Sequence, residues 1–162
     1  WIVGDKLCAI GFPNTANFFM GIRDLFNIKK KSDNRASQST PYERIGGEEK
    51  VRELANTFYD IMETDPLANE LLAIHPQPLD RIRHVFFLYL SLWLGGPDDY
   101  QQQYGHPRLR ARHLPYTVTP ELKAQWMYCM RKAMFKTVED IALAQQLIDA
   151  LDQLANHMVN TK

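Results

Sequence analysis

The stretch VFFLYLSLWL, Val85 to Leu94, restricts the possible folds more than any other part of the chain. It is the longest apolar run, yet about half the roughly 20 residues that a membrane-crossing helix requires, and Gly95-Gly96-Pro97 closes it. A helix from about Asp80 to Leu94 that is apolar nearly all round in its C-terminal half must be buried on more than one side. Other elements have to cover it from several directions, so it belongs at the centre of the fold.

The remaining periodic segments are helical too. Glu48 to Met62 places Val51, Leu54, Phe58, Ile61 and Met62 on one face, and Asp65-Pro66 ends it because the residue before proline avoids the helical region. Thr119-Pro120-Glu121 reads as an N-cap, a proline at the first helical position and an acid in the first turn. The helix it opens carries Leu122, Trp126, Met127, Met130, Ala133 and Met134 on one stripe. A last helix, from near Val138, holds Ile141, Ala144, Leu147, Ile148, Leu151, Leu154, Ala155 and Met158. No stretch offers the alternation and turn chemistry of strands, so the expected class is all-α with about four substantial helices. With 162 residues, the chain suits one compact domain and a tail.

The tail is residues 1–40. Asp5 and Lys6 interrupt WIVGDKLCAIGF, which therefore lacks the apolar run of a signal peptide or anchor. Phe18, Ile22, Leu25 and Phe26 fall at helical spacing, which allows a short docking amphipathic helix, although a loosely packed extension is the plainer reading; Met20 could be an internal start, and KKKSDNRASQST reads as a linker. Cys8 and Cys129 have no CxxC spacing and read as free thiols of a reducing compartment, so a cytoplasmic location is expected. Nineteen basic residues balance nineteen acidic ones, which leaves no excess positive field for nucleic acid or an anionic membrane.

Between Gly95 and Pro120 the periodicity fails, and GHPRLRARHLPY, residues 105–116, packs two histidines and three alternating arginines into this expected loop. A loop of that length in a small helical domain is usually functional or disordered. Three chemistries could use it. His106 and His113 could begin a zinc site, although their spacing matches no short zinc pattern and neither cysteine is near. Arg108, Arg110 and Arg112 could bind phosphate or simply form a solvated edge. One histidine could hold a haem iron axially with an arginine at the propionates. Composition alone does not choose among them.

The segments TPYERIGGEEKVRELANTFYDIM, LWLGGPDDYQQQYGHPRLRARHLPYTVTP and QWMYCMRKAM resemble, in family order, the truncated haemoglobins, and within them the second group. The resemblance covers about residues 41–158. It implies a two-over-two helical sandwich around a haem, heme b (iron protoporphyrin IX), in a domain of residues 41–162 that follows an N-terminal extension. Residue by residue, it makes His113 the proximal iron ligand, with His106 in the same motif but not that ligand, and makes Arg112 the partner of a haem propionate. It gives Tyr59, in the pair Phe58-Tyr59, and Trp126 the role of distal hydrogen-bond donors to a diatomic ligand. It offers His75 as a further distal polar group. Ile82 and Phe86 fall at the distal positions of the central helix, although of Phe86 and Phe87 one lines the cofactor and the other packs inside. Without the resemblance, Tyr59 and Trp126 would read as core residues on apolar stripes.

The implied function is binding of O2, and of NO and CO, at a ferrous iron, for storage or sensing. The alternative it leaves open is a redox enzyme of peroxidase, NO dioxygenase or nitrite reductase type, served by a separate reductase because the chain encodes no flavin or nicotinamide domain. Outside haem chemistry, the arginine stretch could make the chain a helical interaction domain for an anionic partner.

Overall fold

The computed structural model describes residues 39–161, so the expectations for Cys8, Met20 and the amphipathic segment 18–26 lie outside the described residues. Thr40 opens α1 (Pro41–Arg44) with a capping box: its hydroxyl accepts from Glu43 N at 3.2 Å, and the Glu43 carboxylate accepts from Thr40 N at 2.8 Å. α2 (Gly47–Thr64) buries Val51, Leu54, Ala55, Phe58, Tyr59 and Met62. It ends at Asp65, whose side chain accepts from Leu67 N at 3.1 Å and so starts the 3-10 turn Pro66–Ala68, followed by α3 (Asn69–Ala73).

α4 (Asp80–Trp93) is the expected central helix, buried without a gap from Val85 to Ser91. The double glycine after it is required by contact as well as by conformation. Gly95 has φ +87°, and a Cβ on Gly96 would lie 2.5 Å from the Tyr42 ring, which packs on this turn while Tyr42 N donates to Leu94 O at 3.0 Å. Thr119 caps α7 (Pro120–Thr137) as read from the sequence, its hydroxyl accepting from Leu122 N at 3.2 Å.

Two expectations are corrected. The stretch from Gly95 to Pro120 is not a plain loop: it contains α5 (Asp99–Tyr104) and α6 (Leu109–His113), each too short to show a helical period. The last helix, α8 (Ile141–Asn156), starts later than Val138, because Val138 caps α7 in extended conformation and Asp140 accepts from Leu143 N at 3.0 Å as the N-cap. Ile141, placed on the buried stripe by its spacing, is therefore in the first turn and 59% exposed.

α2 packs against both α7 and α4, and α7 packs against α8, which gives two crossed helix pairs. Leu54, Phe58, Met130 and Leu147 are fully buried at these contacts, and each such side chain stabilises the fold by about 1.5–3 kcal/mol. Polar bonds fix the relative positions of the helices. Arg83 on α4 donates to Asn56 O at 2.8 Å and pairs with Asp60 at 2.7 Å and with Glu63. Asp65 accepts from Tyr128 Oη at 2.7 Å and Lys132 Nζ at 2.8 Å.

Candidate functional site

Because α2 lies between α4 and α7, two consecutive residues of it, Phe58 and Tyr59, are both fully buried. The Phe58 ring centroid is 5.0 Å from Tyr59, 5.1 Å from Phe86 and 5.4 Å from Trp126. Tyr59 meets Phe86 edge to face at 5.8 Å and His75 at 5.9 Å. Ring contacts thus bring together four residues singled out in the sequence, Tyr59, His75, Phe86 and Trp126. Ile82 is buried one turn before Phe86 on α4. Phe87 turns the other way, under the Arg52 guanidinium at 3.8 Å from its ring, so Phe86 is the one that faces the site.

His113 closes α6 and is buried, with Nδ1 2.6 Å from Leu109 O. Donation from Nδ1–H to that carbonyl leaves the lone pair on Nε2. Burial lowers the His113 pKa to about 4, and His75 adds to the shift by repulsion, so the ring is neutral at physiological pH, as a metal-binding imidazole must be. His75 is held the same way, Nδ1 2.7 Å from Leu71 O, with its pKa brought down to about 4 chiefly by burial.

His113, Phe86 and Trp126 share the wall of a small cavity of about 30 Å³. Tyr89, Leu109, Leu154 and Met158 belong both to that wall and to the wall of a cavity of about 490 Å³ lined by α4 and α8. Arg108 and Arg110 line the larger space, but Arg112 does not. Arg112 Nε donates to Pro107 O at 2.8 Å and Nη2 to Tyr104 O at 3.1 Å, while Arg110 donates to His157 O. Two of the three alternating arginines therefore brace backbone, which accounts for much of the charge density that the sequence left open. Among the described residues no three His, Cys, Asp or Glu side chains gather to hold a metal.

Two tyrosines were missed. Tyr89 follows Phe86 by three positions and Ile82 by seven, a signal already present in the helical period. Tyr100, on the short α5, gave none; its ring lies 5.8 Å from Tyr89 and 5.4 Å from Tyr104, and the Arg112 charge partly offsets the upward pull of burial on its pKa.

The Tyr59 and Tyr100 hydroxyls and His75 Nε2 are buried without a hydrogen-bond partner among the described residues. Buried polar atoms are nearly always bonded, so these three call for a bound group that brings its own polar atoms. A flat macrocycle carrying a metal and carboxylates fits what is here: a neutral imidazole, aromatic and aliphatic walls, and basic residues along the larger cavity.

A helical sandwich that keeps one neutral imidazole near buried phenol and indole donors is the architecture of a protein built around a planar, metal-bearing prosthetic group. Residues 40–160 match the family described as bacterial-like globin. The chain is 39% identical over 124 residues to the group 2 truncated hemoglobin YjbI of Bacillus subtilis (strain 168), covering 76% of this chain and 91% of that protein. Among solved structures it resembles a cold-adapted truncated hemoglobin from the Antarctic marine bacterium Pseudoalteromonas haloplanktis TAC125, at a TM-score of 0.75 and 51% identity, over 76% of this chain and 100% of that one. It also resembles a group II 2-on-2 hemoglobin from the plant pathogen Agrobacterium tumefaciens, at 0.76 and 38%, over 80% and 100% of the two chains. The chain belongs to the bacterial-like globins and, within them, to the group II truncated haemoglobins, which implies a haem cofactor and the binding of diatomic ligands. No helix among the described residues is long and apolar enough to cross a membrane.

Proposed function

We propose that this chain holds heme b, iron protoporphyrin IX, through His113 and binds O2 for storage or sensing, with Tyr59 and Trp126 as hydrogen-bond donors to the ligand. When bound, the haem supplies a ferrous iron open to diatomic ligands. The observation that carries the reading is the Tyr59 hydroxyl, fully buried and bonded to nothing among the described residues, with its ring in contact with Phe86 and His75.

Burial pushes the Tyr59 pKa far above its ordinary value, against a weaker opposing pull from Arg83, so the phenol keeps its proton and acts as a donor. The Trp126 indole N–H can only donate. Toward a ligand that gathers negative charge, each such bond in a dry pocket contributes roughly 1.5–3 kcal/mol. Two donors favour slow release, which suits storage or sensing better than delivery. Neutral His75 adds a third polar contact, and Ile82 and Phe86 exclude water. Arg112, which the family resemblance pairs with a haem propionate, commits two of its N–H donors to carbonyls and keeps others for that partner, while Arg108 and Arg110 stand in the wall of the larger cavity.

The test is the ultraviolet–visible spectrum of the purified protein and of His113→Ala. A Soret band in the wild type that is lost or strongly altered in the variant is the expected result. A wild type that stays colourless after added hemin would overturn the reading.

A further inference from the structure

α6 carries the proposed iron ligand, yet it cannot stand by itself. It has five residues, far fewer than the dozen or so at which an isolated helix becomes even marginal in water. Its N-cap, Arg108, sits at φ +41°, in the left-handed region that costs a side-chain-bearing residue energy, and makes no side-chain capping bond. At its far end His113 O accepts from Tyr116 N at 3.0 Å within the turn that follows, and a second hold on the same carbonyl comes from more than forty residues away in sequence.

After α8 the chain runs back along the segment that follows His113. Asn160 is the centre of this contact. Its Nδ2 donates to Tyr116 O at 2.8 Å and to His113 O at 3.3 Å, and its Oδ1 accepts from Val118 N at 2.9 Å. Its backbone N donates to Val118 O at 3.1 Å, and Thr161 Oγ1 donates to the same carbonyl at 3.2 Å. With one N–H facing its Oδ1 and two carbonyls facing its Nδ2, the partners settle the orientation of the amide. Two more contacts pin the same segment: Arg110 donates to His157 O, and Met158 is buried in the wall of both cavities.

We propose that residues 157–161 form a strap that positions His113, with Asn160 as the positioning residue, a proposal that rests on the haem reading above. The Asn160 amide holds the carbonyl of His113 itself and that of Tyr116, so the peptide planes leaving α6 cannot rotate. The Leu109 O bond orients the ring from the N-terminal side while the strap fixes the backbone from the C-terminal side. Histidines that ligate metals are commonly oriented by bonds of this supporting kind, and losing one typically costs about 10- to 100-fold in metal affinity or activity.

The test uses haem-loaded protein, comparing wild type, Asn160→Ala and Thr161→Val. Thr161→Val removes one strap bond but none to His113. Two quantities are read: the iron–histidine stretching band of the ferrous, ligand-free form by resonance Raman, and the rate of haem transfer to an excess of a haem-free acceptor globin. Asn160→Ala is expected to broaden and shift the band and to speed haem loss about tenfold, with Thr161→Val within about twofold of wild type. A wild-type band and wild-type haem loss in Asn160→Ala, in a wild type that shows a His113-dependent Soret band, overturns the strap and leaves the haem reading standing. A wild type that takes up no hemin overturns both. Hydrogen exchange on the wild type alone gives a second measurement that does not depend on the variant folding. Slow exchange at Val118 and Asn160 N–H supports the strap, and exchange as fast as in open loops overturns it.

Discussion

Tyr59 and Trp126 stand on helices of 18 residues each, α2 and α7, which pack on one another through fully buried side chains; His113 ends a helix of five. Tyr59 and Trp126 each inherit their position from a long amphipathic helix, and moving either means disturbing the core. Around His113, position depends on side-chain bonds to backbone carbonyls: Arg112 to Tyr104 and Pro107, Arg110 to His157, and Asn160 to His113 and Tyr116. Such bonds are worth about 0.5–1.5 kcal/mol each. One half of the pocket therefore shares the stability of the whole domain, and the other half can open locally at lower cost.

The largest effect should come from a hole in the wall around Tyr59 and Trp126. Phe58→Ala removes the ring that touches Tyr59, Phe86 and Trp126, and should lower unfolding free energy by about 3–5 kcal/mol in a denaturant titration. A loss below about 1 kcal/mol would mean that this wall is not built on core packing, and the contrast would fail. Tyr59→Phe should leave that titration nearly unchanged and speed O2 release on the order of 10- to 100-fold in stopped flow, because only the donor is lost. An unchanged off-rate would defeat the donor assignment.

Near His113, Arg112→Leu should cost about 1–2 kcal/mol, seen as faster amide exchange within Leu109–Leu114 and little change in α2. Uniform acceleration across the protein would show that the two halves share one stability. The smallest effect concerns pH. The Lys132 bond first, then those from Tyr128 and Leu67 N, hold the Asp65 carboxyl down to about 2, below its ordinary value near 4. A depressed carboxylate adds stability in full above that ordinary value and loses it as pH falls toward 2. Asp65→Asn should therefore be slightly less stable than wild type at neutral pH, with the difference vanishing between about pH 4 and pH 2 in thermal melts.

Much of the contrast follows from how far each signal reaches along the chain. The stops and starts of α2 and α7 were legible because Asp65-Pro66 and Thr119-Pro120-Glu121 act within a few residues. α5 and α6 were not, since five or six residues give no period. In the same way Asp140, two places beyond Val138, captured the start of α8 through a cap that competes with simple apolar spacing.

By itself the sequence determined the helical class, the central place of Val85–Leu94, the four long helices and, through the resemblance of its motifs, the family and the residues to examine first. Local periodicity and capping suffice for the first three, since each depends on neighbours within one or two turns. Only the tertiary structure decided that Phe86 and not Phe87 faces the small cavity, that Tyr89 borders both cavities with Tyr100 against its ring, that Arg110 and Arg112 brace backbone, and that Asn160 reaches His113. Those outcomes depend on which helix lies across from which. A hydrogen bond between residues 47 apart in sequence leaves no periodic trace in either partner.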